Sequence, residues 1–124
     1  MNDRYQVARE KSSILEALYE RMRREHVGAR NAVVTKVLAD WFDVQNRAIR
    51  IAMHEILLRK RCPVISFEGT ETKEGYQGWF VAANEEEKDL YVQTLRKKIK
   101  PLQRRMLMIG IVYEQYYKTQ NNKE

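Results

Sequence analysis

Helical periodicity stops at Pro63, and that break constrains the fold more than any other feature of the chain. Proline removes a backbone donor and clashes with the preceding turn, so inside a helix it kinks or breaks the run at a cost of about 3 kcal/mol. The residues after it change character. Val64-Ile65-Ser66-Phe67 is short and rich in β-branched and aromatic side chains, which predicts a strand. Glu68 to Gly78 contains Gly69, Gly75 and Gly78 and predicts a hairpin loop. Trp79-Phe80-Val81 supplies the returning strand. The chain is thereby divided into helices before the break, one hairpin, and a C-terminal segment.

Upstream, apolar residues recur at helical spacing. Ile14, Leu15, Leu18, Tyr19 and Met22 form one amphipathic stripe, with Ser12 or Ser13 as its cap and Glu16 at capping-box distance from Ser13. Residues 1–11 are polar and are expected to be a flexible N-terminus. A second short helix starts at Asn31 or Thr35 and carries Val37, Leu38, Trp41 and Phe42. Asp43-Val44-Gln45-Asn46 reads as a tight turn and cap. A third helix places Ile49, Ala52, Met53, Ile56 and Leu57 on one face. Two helices joined by so short a turn make a helix-turn-helix candidate, and a hairpin directly after it has the form of a wing. The expected fold class is therefore mainly α with a minor α+β element. It comprises a winged helix-turn-helix domain over 12–83, a long C-terminal helix over 84–118, and a flexible tail over 119–124.

The last helix starts at Asn84, with Glu87 at the capping-box position, and Glu85, Glu86 and Asp89 suit the positive end of the helix dipole. Beyond it, Val92, Leu95, Ile99, Leu102, Met106, Ile109, Tyr113 and Tyr116 alternate at spacings of three and four, the a/d seam of a coiled coil. Leu95, Ile99, Leu102, Met106, Ile109, Tyr113 and Tyr116 are accordingly the expected dimer interface. Packing of this seam on the first helix is the alternative, and Pro101 within it favours that alternative. Met106 to Tyr117 carries more apolar surface than one small domain readily covers, which favours a homodimer or a protein partner on the helix.

Charge narrows the choice of partner. The 124 residues carry a formal charge of +6, and the pI is near 9.5. Arg96, Lys97, Lys98, Lys100, Arg104 and Arg105 lie within ten residues that hold no acid. A cluster of this kind favours acidic partners, nucleic acid first. The polar side of a coiled coil is the plainer account, and both can hold because Ile99 and Leu102 face one way with the cations around them. A single cysteine, Cys62, cannot form an intrachain disulfide, so a reducing, cytoplasmic setting (a bacterial or infected host cell) is expected. The start, MNDRYQVARE, is too polar for a secretory signal, and no apolar run is long enough to span a bilayer.

The third helix offers the donors that base recognition needs. Gln45, Asn46, Arg47, Arg50 and His54 recur near spacings of three and four. Arginine pairs with guanine and glutamine or asparagine with adenine in the major groove. Arg47 and Arg50 are read as base or phosphate contacts, Gln45 or Asn46 as an adjacent base reader, and His54 as a backbone contact. Arg96, Lys97, Lys98, Lys100 and Arg104 are read as phosphate contacts. A solvated helix face, with Asn46 acting only as a cap, is the alternative. Trp41, Trp79 and Phe80 are read as core, because they lack the interleaved cations of a base-stacking platform.

VQNRAIRIAMHEILLRKRCPVIS, residues 44–66, resembles the third helix and first wing strand of a family of small winged-helix proteins found in bacterial genomes and phages of Gram-positive hosts. The resemblance rests on Val44, Arg47, Ile49, Arg50, Ala52, Met53, His54, Glu55 and Ile56, then on Pro63, Val64, Ile65 and Ser66. It resumes at Gly78-Trp79-Phe80-Val81-Ala82 and at residues 84–100. It implies a winged helix-turn-helix fold and duplex-DNA binding in phage replication or regulation. The chain departs from the pattern at Ile51, where a basic residue is usual. It departs again in a longer wing loop that carries Glu68, Glu71 and Glu74 against Lys73. Such a wing is repelled by phosphate.

No catalytic residue, cofactor or metal is expected. His26, His54 and Cys62 lack ligand spacing, no CxxC or HExxH is present, and no glycine-rich phosphate loop appears. The expected function is double-stranded DNA binding in transcription regulation or replication initiation. The competing class is a protein-interaction module, including a phage-encoded inhibitor of a host nucleic-acid enzyme.

Overall fold

The computed structural model describes the backbone over residues 3–121 and the side chains over 14–121. It is mainly helical, with one two-stranded antiparallel sheet and a long C-terminal helix. In chain order, α1 spans Asp3–Glu25, a 3-10 turn covers Ala29–Asn31, α2 spans Thr35–Phe42 and α3 spans Asn46–Arg59. Then come β1, Val64–Glu68, and β2, Gln77–Val81, and finally α4, Glu85–Asn121. The chain divides into two units, one reaching to Tyr91 and the other starting at Val92.

In the first unit, α1, α2 and α3 close around one core. Leu15, Leu18 and Met22 come from α1, Leu38 and Ala39 from α2, and Ile49, Ala52, Met53 and Ile56 from α3. Cys62 and Val64 extend this core towards β1. The stripes expected from periodicity supply most of these buried faces, but Leu57, expected on the α3 stripe, is 40% exposed because it lies one residue past Ile56, at the edge of the buried side. α1 nevertheless starts at Asp3, so the cap expected at Ser12 or Ser13 lies inside the helix. The preceding residues are mostly good helix formers, and nothing there breaks the turn. The ends expected to be flexible fall partly outside the described residues. Within these, α1 covers the first from Asp3 and α4 continues through the last to Asn121.

Two of the expected core residues on α2 separate. Leu38 is fully buried, whereas Trp41 is 68% exposed and Val37 is also exposed. An eight-residue helix turns one stripe inward, and Leu38, Ala39 and Phe42 occupy it. Trp41 falls outside that stripe and lies instead beneath the Arg21 guanidinium, 4.4 Å from the ring centroid, in a cation–π contact. The expectation that Trp41 is a core residue is therefore corrected. Phe80 is fully buried, as expected, and Trp79 is partly buried with its Nε1–H donating to Thr35 Oγ1 at 3.0 Å.

The hairpin pairs Val64 with Val81, Ile65 with Phe80, Ser66 with Trp79, Phe67 with Gly78 and Glu68 with Gln77. Its two faces meet different apolar surroundings. Val64, Trp79 and Val81 face the helical core. Ile65, Phe67 and Phe80 face a second cluster with Ala29, Tyr76, Leu90 and Tyr91. Phe67 and Phe80 meet edge to face at 4.9 Å. Both faces are covered, so the strands read as continuous apolar runs rather than as alternation.

The segment between α1 and α2 adds a third partner to β2. Val33 and Trp79 exchange both backbone hydrogen bonds, at 2.9 and 2.7 Å. Gly28 N–H donates to the Val81 carbonyl and Val81 N–H to that of His26, each at 2.8 Å. β2 is therefore hydrogen-bonded along both edges. Glu87 fixes the start of α4 to the same region. Its carboxylate accepts from Ala29 N–H at 2.7 Å and Ala83 N–H at 2.9 Å, while its own N–H donates to Asn84 Oδ1.

Gly78 makes this arrangement possible. Its φ is +114°, and a Cβ there would sit 2.4 Å from the Val33 carbonyl carbon. Gly78→Ala is expected to cost at least about 2 kcal/mol, from a left-handed backbone and a collision with main chain. Thermal unfolding should show a Tm lower by ~10 °C. A Tm within a degree or two of the parent would contradict the close approach.

Candidate nucleic-acid interface

The turn between α2 and α3 sets how α3 is presented. Asp43 ends α2 in the left-handed conformation, φ 53° and ψ 52°, and Val44 N–H bonds back to the Ala39 carbonyl at 3.0 Å. Aspartate tolerates this conformation better than most residues. Gln45 then occupies the N-cap of α3 in extended backbone, and no side chain caps the helix. Asn46 is the first helical residue, not the cap. Neither amide is used to cap α3, so the reading that assigned Asn46 to capping alone does not hold.

α3 splits cleanly by side. Ile49, Ala52, Met53 and Ile56 are buried. Gln45, Asn46, Arg47, Arg50 and His54 are all exposed, and helical geometry puts Arg47, Arg50 and His54 on the side opposite the core. The exposed surface continues through Leu57 and Leu58 to Arg61. Among the described residues, no ion pair engages Arg47 or Arg50, whereas Arg59 pairs with Glu55 at 3.9 Å and Lys60 with Glu16 on α1. The two guanidiniums at the N-terminal half thus keep their donor forks for an external acceptor.

Ile51 has a structural reason to be apolar. It is half-buried and borders a small crevice with Ile14, Ala48, Ala52 and Glu55, next to α1. A basic residue there would place a charge against the α1 stripe.

The hairpin loop holds one of its acids inward. One Oε of Glu71 accepts from the backbone N–H groups of Glu68, Gly69 and Thr70 at 2.9, 3.0 and 3.1 Å. Burial pushes this carboxyl up, but these N–H groups and its own outweigh burial and hold it below the ordinary value of 4.5. One of the loop's carboxylates is therefore spent on the loop itself, while Lys73 and Glu74 are exposed.

Arg96, Lys97, Lys98, Lys100, Arg104 and Arg105 are all exposed on α4, in the second unit. The seam residues of α4 are exposed too, from Leu95 at 39% to Met106 at 75%. α4 runs through Pro101 as one continuous helix.

Cys62 is buried, and burial pushes its thiol above the ordinary range, with Arg23 pulling weakly the other way. The thiol is therefore neutral near pH 7 and a poor nucleophile. Among the described residues, no group of three His, Cys, Asp or Glu could hold a metal ion, and no helix is long and apolar enough to cross a membrane.

No protein-family model, no curated protein and no solved structure matches the chain.

Sequence reasoning found the exposed side of α3 from its donor spacing. It missed the third segment on β2 and the inward turn of Glu71. Val27, Gly28 and Val33 carried a faint signal for the first. Nothing local marked the second.

Glu71 gives the hairpin loop a pH dependence. Its folded carboxyl titrates below its unfolded value. The stabilisation is thus fully present above about pH 4.5 and is lost as pH falls through the folded value. The Gly69 and Thr70 amide shifts in NMR should titrate with a midpoint below 4.5, and Glu71→Gln should remove that titration. A midpoint above 4.5 would contradict the assignment.

Proposed function

We propose that the protein binds duplex DNA through α3, as a winged-helix protein of the bacterial and phage type that residues 44–66 resemble. The observation that carries this reading is the exposed side of α3. Gln45, Asn46, Arg47 and Arg50 lie at its N-terminal end and His54 about one turn beyond Arg50, with the two arginines free of ion pairs among the described residues. Recognition helices contact base edges with the N-terminal residues of the helix, as the second helix of a helix-turn-helix does. The element order supports it further: three helices, a short turn between the second and third, and a hairpin. The Val33–Trp79 bridge, which ties the segment between the first two helices to the hairpin, supports it as well.

In this reading Arg47 and Arg50 contact bases or phosphates and Gln45 or Asn46 reads a neighbouring base. Arg96, Lys97, Lys98, Lys100 and Arg104 contact phosphates. With Glu74 exposed and one Lys73 beside it, the wing adds little attraction for the backbone. Sequence-specific binding would serve transcription regulation or replication initiation.

A second reading has its own support. Trp41 is exposed on α2 under Arg21, and α4 is apolar on several sides from Met106 to Tyr117. Both suit a protein-interaction module, including a phage-encoded inhibitor of a host nucleic-acid enzyme.

Fluorescence anisotropy of a labelled duplex separates the two. DNA binding should weaken about a thousandfold between 50 and 200 mM salt if roughly six phosphates are neutralised. On a selected site, Arg47→Ala and Arg50→Ala should each cost about 1–3 kcal/mol. No binding at low salt by folded protein would exclude the DNA reading and leave the protein module.

A further inference from the structure

We propose that α4 pairs with the α4 of a second copy of this chain as a parallel, in-register, two-stranded coiled coil over Val92–Tyr116. The seam is the first observation. Val92, Ile99, Met106 and Tyr113 occupy a positions, and Leu95, Leu102, Ile109 and Tyr116 occupy d positions, with no interruption across four heptads. From Leu95 onward these side chains are exposed along a continuous helix. A stable interface needs ~800 Å² per partner, and seven large apolar side chains of the seam, from Leu95 to Tyr116, are each 39–75% exposed and available to supply it. β-branched residues at a with leucine at d, as in Val92-Leu95 and Ile99-Leu102, favour two strands.

The flanking positions choose the orientation. In a parallel pair, each g residue meets the e residue five positions later on the other strand. The resulting pairs are Tyr91 with Arg96, Lys98 with Gln103, Arg105 with Gly110, and Val112 with Tyr117. None of them joins two like charges, and the last is apolar. An antiparallel pair that keeps all eight seam residues in contact centres near residue 104 and sets Arg105 against its own copy. Like charges placed directly opposite destabilise such a pair.

Two features that look adverse fit the same geometry. Pro101 is at a c position, off the seam. The carbonyl it leaves unbonded belongs to Lys97, at f, where water can satisfy it. Tyr117, at e, already packs against both seam tyrosines, with ring centroids 4.9 Å from Tyr113 and 5.2 Å from Tyr116. The C-terminal end of the seam is thereby partly ordered in one chain. Leu107, Met108 and Ile111 lie at b, c and f and stay outside a two-stranded coil.

Arg96, Lys98 and Arg105 give both strands the same charge beside the seam. Added salt screens this repulsion, so the dimer should tighten as salt rises, the reverse of DNA binding.

The test uses the full chain without DNA. Sedimentation equilibrium should give about twice the 14.8 kDa of one chain, with association stronger at high salt than at low. Ile109→Asp should return the protein to monomer while the first unit's unfolding transition is kept. Ile109→Cys should form a covalent homodimer on mild oxidation, and the wild type should not, because Cys62 is buried. In the antiparallel register the two thiols introduced by Ile109→Cys would lie about 15 Å apart, beyond disulfide reach. There, Ile99→Cys mixed with Ile109→Cys would cross-link instead. A wild-type monomer at ~100 μM chain, a trimer or larger assembly, or the mixed 99–109 link each overturns the proposal.

Discussion

The first unit depends on β2 being bonded along both edges. A two-stranded hairpin on its own is marginal in water. Here β1 pairs one edge, while the backbone of His26, Gly28 and Val33 pairs the other. The reciprocal Val33–Trp79 bonds tie the segment before α2 to the centre of the hairpin. Trp79 also holds Thr35 at the first residue of α2. Two elements far apart in sequence are thus fixed against each other, and the placement of α2, the turn and α3 depends on that anchor.

That constraint explains how α3 can face outward with a polar surface. Its apolar side is fully engaged with α1 and α2, and the chain enters it through a turn that a left-handed Asp43 makes tight. Side chains on the other side then contribute little to stability. Positions freed from packing can carry arginines, an amide and an imidazole at small energetic cost, since exposed substitutions usually change stability by no more than about 0.5 kcal/mol. Helix geometry thus separates the packed side of α3 from its exposed polar side.

α4 poses a different physical problem. Its first turns belong to the first unit, where Glu87, Leu90 and Tyr91 engage Ala29 and the second apolar cluster. From Leu95 on its seam is exposed, yet it keeps an unbroken apolar repeat. In proteins most helical stability comes from packing an apolar face rather than from propensity. In the proposed pairing, this seam would obtain its packing from the α4 of a second copy, with the cations beside it setting the orientation.

The sequence by itself determined what local physics can specify. Apolar periodicity marked α1, α2 and α3 and most of their buried faces. Pro63 and the β-branched run after it located the hairpin, and residue spacing marked both the polar side of α3 and the seam of α4. It missed where the outcome depends on residues distant in the chain. Trp41 reads as core by spacing, but an eight-residue helix had room for only one buried stripe, and Arg21 from α1 covers the ring instead. The role of Gly78 depends on Val33, from the segment before α2, arriving at its α-carbon. The inward Glu71 depends on three backbone N–H groups converging only when the loop folds. Periodicity is a property of neighbours along the chain, whereas close approach and convergent donors exist only once distant segments are brought together, and so tertiary structure alone decided them.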